Sequence, residues 1–231
     1  MKRAIVLLTY NEIEAVPKLF DKIPLSIADE VFAVDGGSKD GTVEYLESRG
    51  VKVYGQPRRG RGCAFQVALD KTTADVLCFY SPDGNEDPAD VPKLFEKLER
   101  GGYDVVVASR MSRGAHNEED EQTIKLRKWV NMVFTFVINA IWNRGPYLTD
   151  TINGFRTVRA DSLRRCRCET DGFDIEFQMS MRMMKLGMRI GEIPTHESPR
   201  LGGQSTAHSW PTGVRFIKQL VRELLMGRRV E

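Results

Sequence analysis

At 231 residues the chain can bury a sizeable α/β core as one domain, with or without a C-terminal extension. Hydrophobic residues make up 41% and charged residues 29%, which excludes a disordered chain and a membrane-spanning composition. The net charge of +2 is too small for a nucleic-acid binder, although it conceals a basic end from Arg215 onward and an acidic run, Glu118-Glu119-Asp120-Glu121. Cys63, Cys78, Cys166 and Cys168 have no zinc-site spacing, and the last two are too close for an ordinary bridge, so free thiols in a reducing cytosol are expected.

Ala4 to Leu8 is a continuous apolar run, the pattern of a strand covered on both faces. It stops at Thr9-Tyr10-Asn11-Glu12, too early for a signal peptide, and Asn11 is placed to cap a helix over Ile13 to Asp21. Val31 to Val34 is a second buried strand, closed by Asp35-Gly36-Gly37-Ser38-Lys39-Asp40-Gly41-Thr42. A helix over Val43 to Arg49 and a strand over Val51 to Tyr54 follow. Strand, polar loop, helix, strand is the βαβ signature of a parallel sheet.

Arg58-Arg59-Gly60-Arg61-Gly62 leads into a helix from Ala64 to Leu69. Its glycines and arginines suit a phosphate or a solvated basic turn, but the spacing is not that of a P-loop or a dinucleotide fingerprint. Val76 to Tyr80 is a buried strand that ends at Ser81-Pro82-Asp83-Gly84-Asn85. Pro lacks a ladder donor, and Gly and Asn tolerate positive φ, so a turn is forced there. Asp83 and Asn85 then lie just past the carboxyl end of a strand, where open α/β sheets bind ligands. Their spacing lets two oxygen-bearing side chains face one hard cation.

A helix over Val91 to Arg100 and a strand over Asp104 to Ala108 deliver Ser109-Arg110. Residues 112–128 read as a mobile surface loop of the kind that frames a site. Trp129 to Trp142 is the most hydrophobic segment, yet it contains Asn131 and Asn139 and falls short of the roughly 20 residues a membrane span needs, so a buried or interfacial helix is expected. Thr149 to Arg156 is a second polar cluster. Gly172 to Gln178 opens a helix whose Met179, Met181, Met183, Met184 and Met188 suit core packing. Gly191 to Pro194 reads as a short strand and Pro199 to Ser205 as a flexible loop. From Gly213 to Arg229, Val214, Ile217, Leu220, Val221, Leu224 and Leu225 form one apolar face beside Arg and Lys. The expected division is therefore 1–212 as the main domain and 213–231 as a basic amphipathic helix.

Taken in order, Thr9 to Glu12, Val34 to Thr42, Ser81 to Asn85, Ala108 to Arg110, Asp150 to Arg156 and Arg200 to Ser205 carry a resemblance. The chain resembles the family 2 nucleotide-sugar glycosyltransferases, and within them the polyprenyl-phosphate, dolichyl-phosphate mannose synthase type. No QxxRW-like segment links it to the processive polysaccharide synthases. The resemblance implies a GT-A fold: a Rossmann-like, mostly parallel sheet flanked by helices. It implies an inverting transfer from a UDP or GDP sugar to a polyprenyl or dolichyl phosphate, with Mg²⁺ or Mn²⁺ as cofactor.

Thr9, Tyr10, Glu12, Asp35, Arg61, Ser81, Pro82 and Asp83 would then hold the nucleotide. Asp83, with Asn85, would bind the cation, and Arg200 would clamp the diphosphate, an anion suited to bidentate Arg contact. Arg110, Arg127 and Asn131 fall where the lipid-phosphate synthases receive the acceptor phosphate. A phosphate acceptor is already ionised at neutral pH and needs positioning more than a base. An alcohol acceptor would need one, and Asp150, Asp174 and Glu176 are the candidates, with Asp150 carried as catalytic. The implied setting is the cytoplasm, at the inner face of a membrane, with weak peripheral binding through the 129–142 and 213–229 helices; a homodimer would cover the same faces. Ser81 departs from the family's first DxD acid, and Gly36 from the second Asp of its nucleotide loop. The alternatives are a transferase with a soluble sugar or hydroxy-acid acceptor, and a nucleotide-sugar-binding subunit without catalysis.

Overall fold

The computed structural model describes residues 1–120, 126–202 and 209–230, with the side chains at 126–127 and 209–211 outside that description. Seven strands form one sheet: β1 (Arg3–Thr9), β2 (Glu30–Asp35), β3 (Lys52–Gly55), β4 (Val76–Tyr80), β5 (Val105–Ser109), β6 (Arg156–Arg159) and β7 (Ile190–Pro194). Their order is β3-β2-β1-β4-β6-β5-β7. All pairings are parallel except those of β6, which runs antiparallel to both β4 and β5. The mostly parallel α/β sheet expected from the sequence is thus present, with one reversed strand that Arg156 and Arg159 hide from a hydrophobicity reading.

The helices are α1 (Val16–Leu19), α2 (Thr42–Ser48), α3 (Arg61–Lys71), α4 (Asp90–Gly101), α5 (Leu126–Trp142), α6 (Ala160–Cys166), α7 (Ile175–Lys185) and α8 (Ser209–Leu225). Strand side chains alternate between the two faces. Ala4, Val6 and Leu8 of β1 pack with Phe65, Ala68, Leu163 and Met179 of α3, α6 and α7. Ile5 and Leu7 pack with Val16, Leu46, Val91, Leu94 and Phe95 of α1, α2 and α4. A third cluster joins α5, α7 and α8 through Phe134, Ile138, Phe177, Met181 and Phe216. Helix α7 is therefore buried on both sides, and its methionines fill core as expected.

Three local expectations are corrected. The helix expected over Ile13 to Asp21 is a single α turn followed by a 3₁₀ turn, and Asn11 does not cap it. Asn11 instead adopts a φ of 54° and its Oδ1 accepts from the Lys39 N–H at 2.9 Å, fastening β1's end to the loop after β2. The 112–128 segment is irregular up to its last described residues before α5, but it is packed into the fold in part instead of lying wholly on the surface. Asn117 and Glu119 are buried, the Asn117 amide donates to Glu197 at 2.8 Å, and His116 bridges and stacks on His196. Finally, α8 begins at Ser209, ahead of the expected boundary, and is anchored by a buried acid that the apolar pattern did not reveal. Glu223 meets Arg182 at 2.8 Å and Lys185 at 2.5 Å, with all three side chains fully buried.

Candidate active site

The chain runs from β1 outward to β2 and β3, then returns to β4 on the other side of β1. That reversal opens a crevice at the carboxyl ends of β1, β2 and β4, the position where open α/β sheets hold ligands. A cavity of about 830 Å³ occupies it, lined by Thr9, Tyr10, Glu12, Arg61, Ser81, Asp83 and Arg200 among others. Seven residues expected at the nucleotide or diphosphate are thus brought to one wall, though they come from opposite ends of the chain.

The turn after β4 is built by its own side chains. The Ser81 N–H donates to the Glu86 carboxylate at 2.7 Å, and the Asn85 N–H to Asp83 Oδ1 at 3.0 Å. Gly84 has a φ of +101°, and a Cβ there would meet the Leu201 backbone nitrogen at 2.9 Å, so only glycine lets the 198–202 segment lie against the turn. That segment is stitched on by three hydrogen bonds: Leu201 N–H to the Asp83 carbonyl at 2.9 Å, Ser198 N–H to the Asn85 carbonyl at 3.0 Å, and the Asn85 amide to the Ser198 carbonyl at 2.6 Å. The amide nitrogen of Asn85 is therefore spent on the chain, not turned to the cavity. Residues 203–205 of the expected loop lie outside the described residues.

Arg200 ends on two acids. Its guanidinium reaches Asp83 Oδ2 at 2.6 Å and Glu12 Oε1 at 2.6 Å. Glu12 Oε2 is buried and has no partner. Burial pushes the Glu12 carboxyl up to about 7, against the pull of Arg200, and raises Asp83 from its ordinary value in the same way. Glu86, behind Ser81, is pushed up to about 8 by burial, with the charge of Arg61 opposing.

Arg61 fills the space beside Ser81. Its Nη1 donates to the Ser81 hydroxyl at 3.1 Å and its Nε pairs with Glu176. The flanking glycines serve backbone contact: a Cβ at Gly62 would lie 1.9 Å from the Thr170 carbonyl oxygen. The glycines of the Arg-Gly-Arg-Gly stretch thus seat residues 170–172, while Arg58, Arg59, Gly60 and Arg61 line the cavity. Asp35 is buried at the end of β2, and its carboxylate accepts from the Gly37 and Ser38 N–H groups at 2.8 and 2.7 Å. Pro82 is buried in the turn.

A second cluster lies at the ends of β5 and β6. Arg110 Nε donates to Asp150 Oδ2 at 2.8 Å and its Nη1 to Glu197 at 3.2 Å. Asp150 also accepts from the Ile152 and Asn153 N–H groups at 3.2 and 3.0 Å. Burial acts to raise its carboxyl, but the charge and hydrogen bonds of Arg110 outweigh it and hold Asp150 below its ordinary value. Asn131 sits half-buried near the start of α5, and the side chain of Arg127 lies outside the described residues. Glu176 is turned to Arg61, and Asp174 is buried at the start of α7 with Oδ1 unpartnered.

Sequence reasoning missed several members. Gln56 lines the cavity beside Thr9 and Tyr10, and its buried Oε1 has no partner, which suits an N–H of a planar base. Arg59 lies over the Tyr10 ring at 5.2 Å, and Arg215 of α8 reaches the same cavity. Arg59 belongs to the basic stretch singled out in the sequence and Arg215 opens its basic end, but no local signal marks Gln56 or brings the three together. The 196–202 segment joins both clusters, with Glu197 on Arg110 and Arg200 on Asp83 and Glu12.

The sequence pattern described as glycosyl transferase family 2 matches residues 4–167. Among similar proteins, glycosyltransferase AglJ of Haloferax volcanii is 29% identical over 202 residues, covering 86% of this chain and 63% of that protein, so the chain spans under two thirds of that relative's length. An undecaprenyl-phosphate mannosyltransferase of Micrococcus luteus is 29% identical over 222 residues, covering 89% of this chain and 87% of that one. Among solved structures, glucosyl-3-phosphoglycerate synthase of Mycobacterium tuberculosis, in complex with Mn²⁺, UDP and glucosyl-3-phosphoglycerate, superposes with a TM-score of 0.77 at 18% identity, over 96% of this chain and 79% of that one. With a GT-A sheet and the family pattern over most of its length, this chain belongs to glycosyl transferase family 2 and is a glycosyltransferase.

Proposed function

We propose that the enzyme transfers a glycosyl group from a UDP or GDP sugar to a polyprenyl phosphate, with inversion at the anomeric carbon. The bond from that carbon to the donor diphosphate breaks, its electron pair leaving with the diphosphate, as the bond to the acceptor oxygen forms. The observation that carries the acceptor class is the clasp on Asp150. A carboxylate held below its ordinary value by Arg110 is a weaker general base than a free one, which suits an ionised phosphate acceptor better than an alcohol. The name of the Micrococcus relative points the same way.

In the donor cavity, Gln56 and Tyr10 would face the base, and Arg61 and Ser81 the ribose side. Arg200 would move from the carboxylates to the donor diphosphate. A divalent cation, Mg²⁺ or Mn²⁺, would neutralise charge on the leaving diphosphate, and Asp83 is a fitting ligand: a buried carboxylate at the cavity wall, matched now by the cationic head of Arg200. Arg110, with Arg127 and Asn131, would receive the acceptor phosphate.

The acceptor's setting follows from two helix faces. Among the described residues no helix is long and apolar enough to cross a membrane. Yet α5 exposes Trp129, Val133 and Phe136, and α8 exposes Ile217, Val221 and Leu225 beside Lys218 and Arg222. Phe134 and Phe216 pack together beneath, so the two faces adjoin. Apolar and aromatic residues edged by cations suit an anionic bilayer surface, with residues 213–231 serving as the attachment element of the 1–212 domain, on the cytoplasmic side.

The deciding experiment incubates the enzyme with labelled UDP and GDP sugars and a panel of polyprenyl phosphate, soluble sugars and small hydroxy acids. Product on the lipid phosphate alone is expected. Product only on a soluble acceptor would replace this reading with the alternative one. Co-sedimentation with anionic vesicles at low salt, reduced by Ile217→Asp, is expected from the helix faces; a concentration-dependent dimer without vesicle binding would assign them to a second copy.

A further inference from the structure

The family's cation turn normally begins with an acid, and here that position is Ser81, whose hydroxyl is taken by Arg61. The negative charge needed beside Asp83 is nevertheless present, from a residue far away in the chain. Glu12 and Asp83 converge on one guanidinium, each at 2.6 Å from Arg200. Glu12 is 8% exposed, lines the cavity, and keeps Oε2 without a partner. Two hard oxygen donors with a spare buried lone pair, bridged by a positive group, describe a cation position already filled by a side chain.

We infer that Glu12 supplies the carboxylate that Ser81 lacks, and that Arg200 occupies, in the cation-free enzyme, the place between Glu12 and Asp83 that a divalent cation takes. This rests on the donor-site reading and adds an order of events to it. Among the described residues no three His, Cys, Asp or Glu side chains converge as a metal cage. The protein therefore offers two carboxylates and leaves the remaining positions to water and to the donor diphosphate, the usual arrangement for Mg²⁺. Arg200 then has two partners in turn: the carboxylates when the site is empty, and the diphosphate once a cation has displaced it. Each state keeps the guanidinium paired, so neither leaves a buried charge alone. The 198–202 backbone is held to the 83–85 turn by three hydrogen bonds, so the exchange needs the Arg200 side chain to swing without the segment opening.

The consequence is a change of opposite sign for two ligands in one variant. Mn²⁺ alone, without nucleotide, is titrated against the full chain, and free ion is read by electron paramagnetic resonance. Arg200→Gln removes the internal competitor and is expected to bind Mn²⁺ about tenfold more tightly than the wild type, the scale of one displaced ion pair. Arg200→Lys keeps a cation in place and should stay near the wild type, which also checks that the segment tolerates substitution. Adding Glu12→Gln or Asp83→Asn to Arg200→Gln should each abolish the gain.

Unchanged or weaker Mn²⁺ binding in Arg200→Gln overturns the exchange, and a gain that survives Glu12→Gln overturns the role of Glu12. UDP and GDP are titrated in parallel. Arg200→Gln should weaken binding of the nucleotide that the wild type takes. If the wild type takes neither, the donor reading fails, while the Mn²⁺ titrations still decide the cation site.

Discussion

The guanidinium of Arg110 lies against both oxygens of Asp150, with Nε at 2.8 Å and Nη2 at 3.2 Å, and its remaining nitrogen reaches Glu197. Such a pair titrates low. Asp150, below its ordinary 3.8 in the fold, adds stability that is complete above that value and is lost as the pH falls through the folded one. It therefore stays ionised from pH 5 to 8, and kcat/KM should show no limb belonging to it there. Asp150→Asn leaves Arg110 half paired and should lower transfer by about a hundredfold with nucleotide binding retained. A rate limb between pH 5 and 8 that vanishes in Asp150→Asn would show a working base instead.

Glu86 shifts the other way. Its carboxyl titrates at about 8 in the fold against an ordinary 4.5, because burial disfavours its charge. Folding thus favours the protonated form: the stabilisation is full below about 4.5 and is lost as the pH rises to about 8. Glu86→Gln carries a neutral group throughout and should lose less stability than the wild type between pH 5 and 8. Glu12 and Asp83 shift in the same direction, so the difference between the two proteins isolates Glu86. Parallel urea midpoints across that range would refute the assignment.

The anchor of α8 is a buried charge network. Glu223→Ala strands Arg182 and Lys185 without their shared carboxylate, a loss on the order of 3–5 kcal/mol by denaturant unfolding. Arg222→Ala, at an exposed pair with Glu169, should cost under about 1 kcal/mol. Similar costs for the two would mean that α8 is not held by Glu223.

Gly62 tests the seat of Arg61. An added methyl 1.9 Å from the Thr170 carbonyl oxygen must push residues 170–172 away. Gly62→Ala should lower stability by about 1–3 kcal/mol and weaken nucleotide binding, because Arg61 moves with the helix start. A variant as stable as the wild type that fails to bind nucleotide would argue that the glycine meets the ligand itself.

Much of the fold is legible along the chain, because strand burial and turn chemistry are local properties. The runs Ala4 to Leu8, Val31 to Val34 and Val76 to Tyr80 are apolar at every position because helices cover both faces, and each gives way within a residue or two to a polar turn, at Ser81-Pro82 through a proline without a ladder donor. Those endings put Thr9, Asp35 and Asp83 at one edge of the sheet, so the site's location follows from strand ends alone. Partnership does not. Arg156 reads as a surface residue but is fully buried among backbone carbonyls, which is why β6 went unseen. Arg200 meets Glu12 across 188 residues, and Arg110 takes the carboxylate that looked free to act as a base. Which acid is paired, which keeps an unused lone pair, and which cation stands between two carboxylates depend on side chains that distant segments bring together at the ends of the open sheet; no periodicity records them.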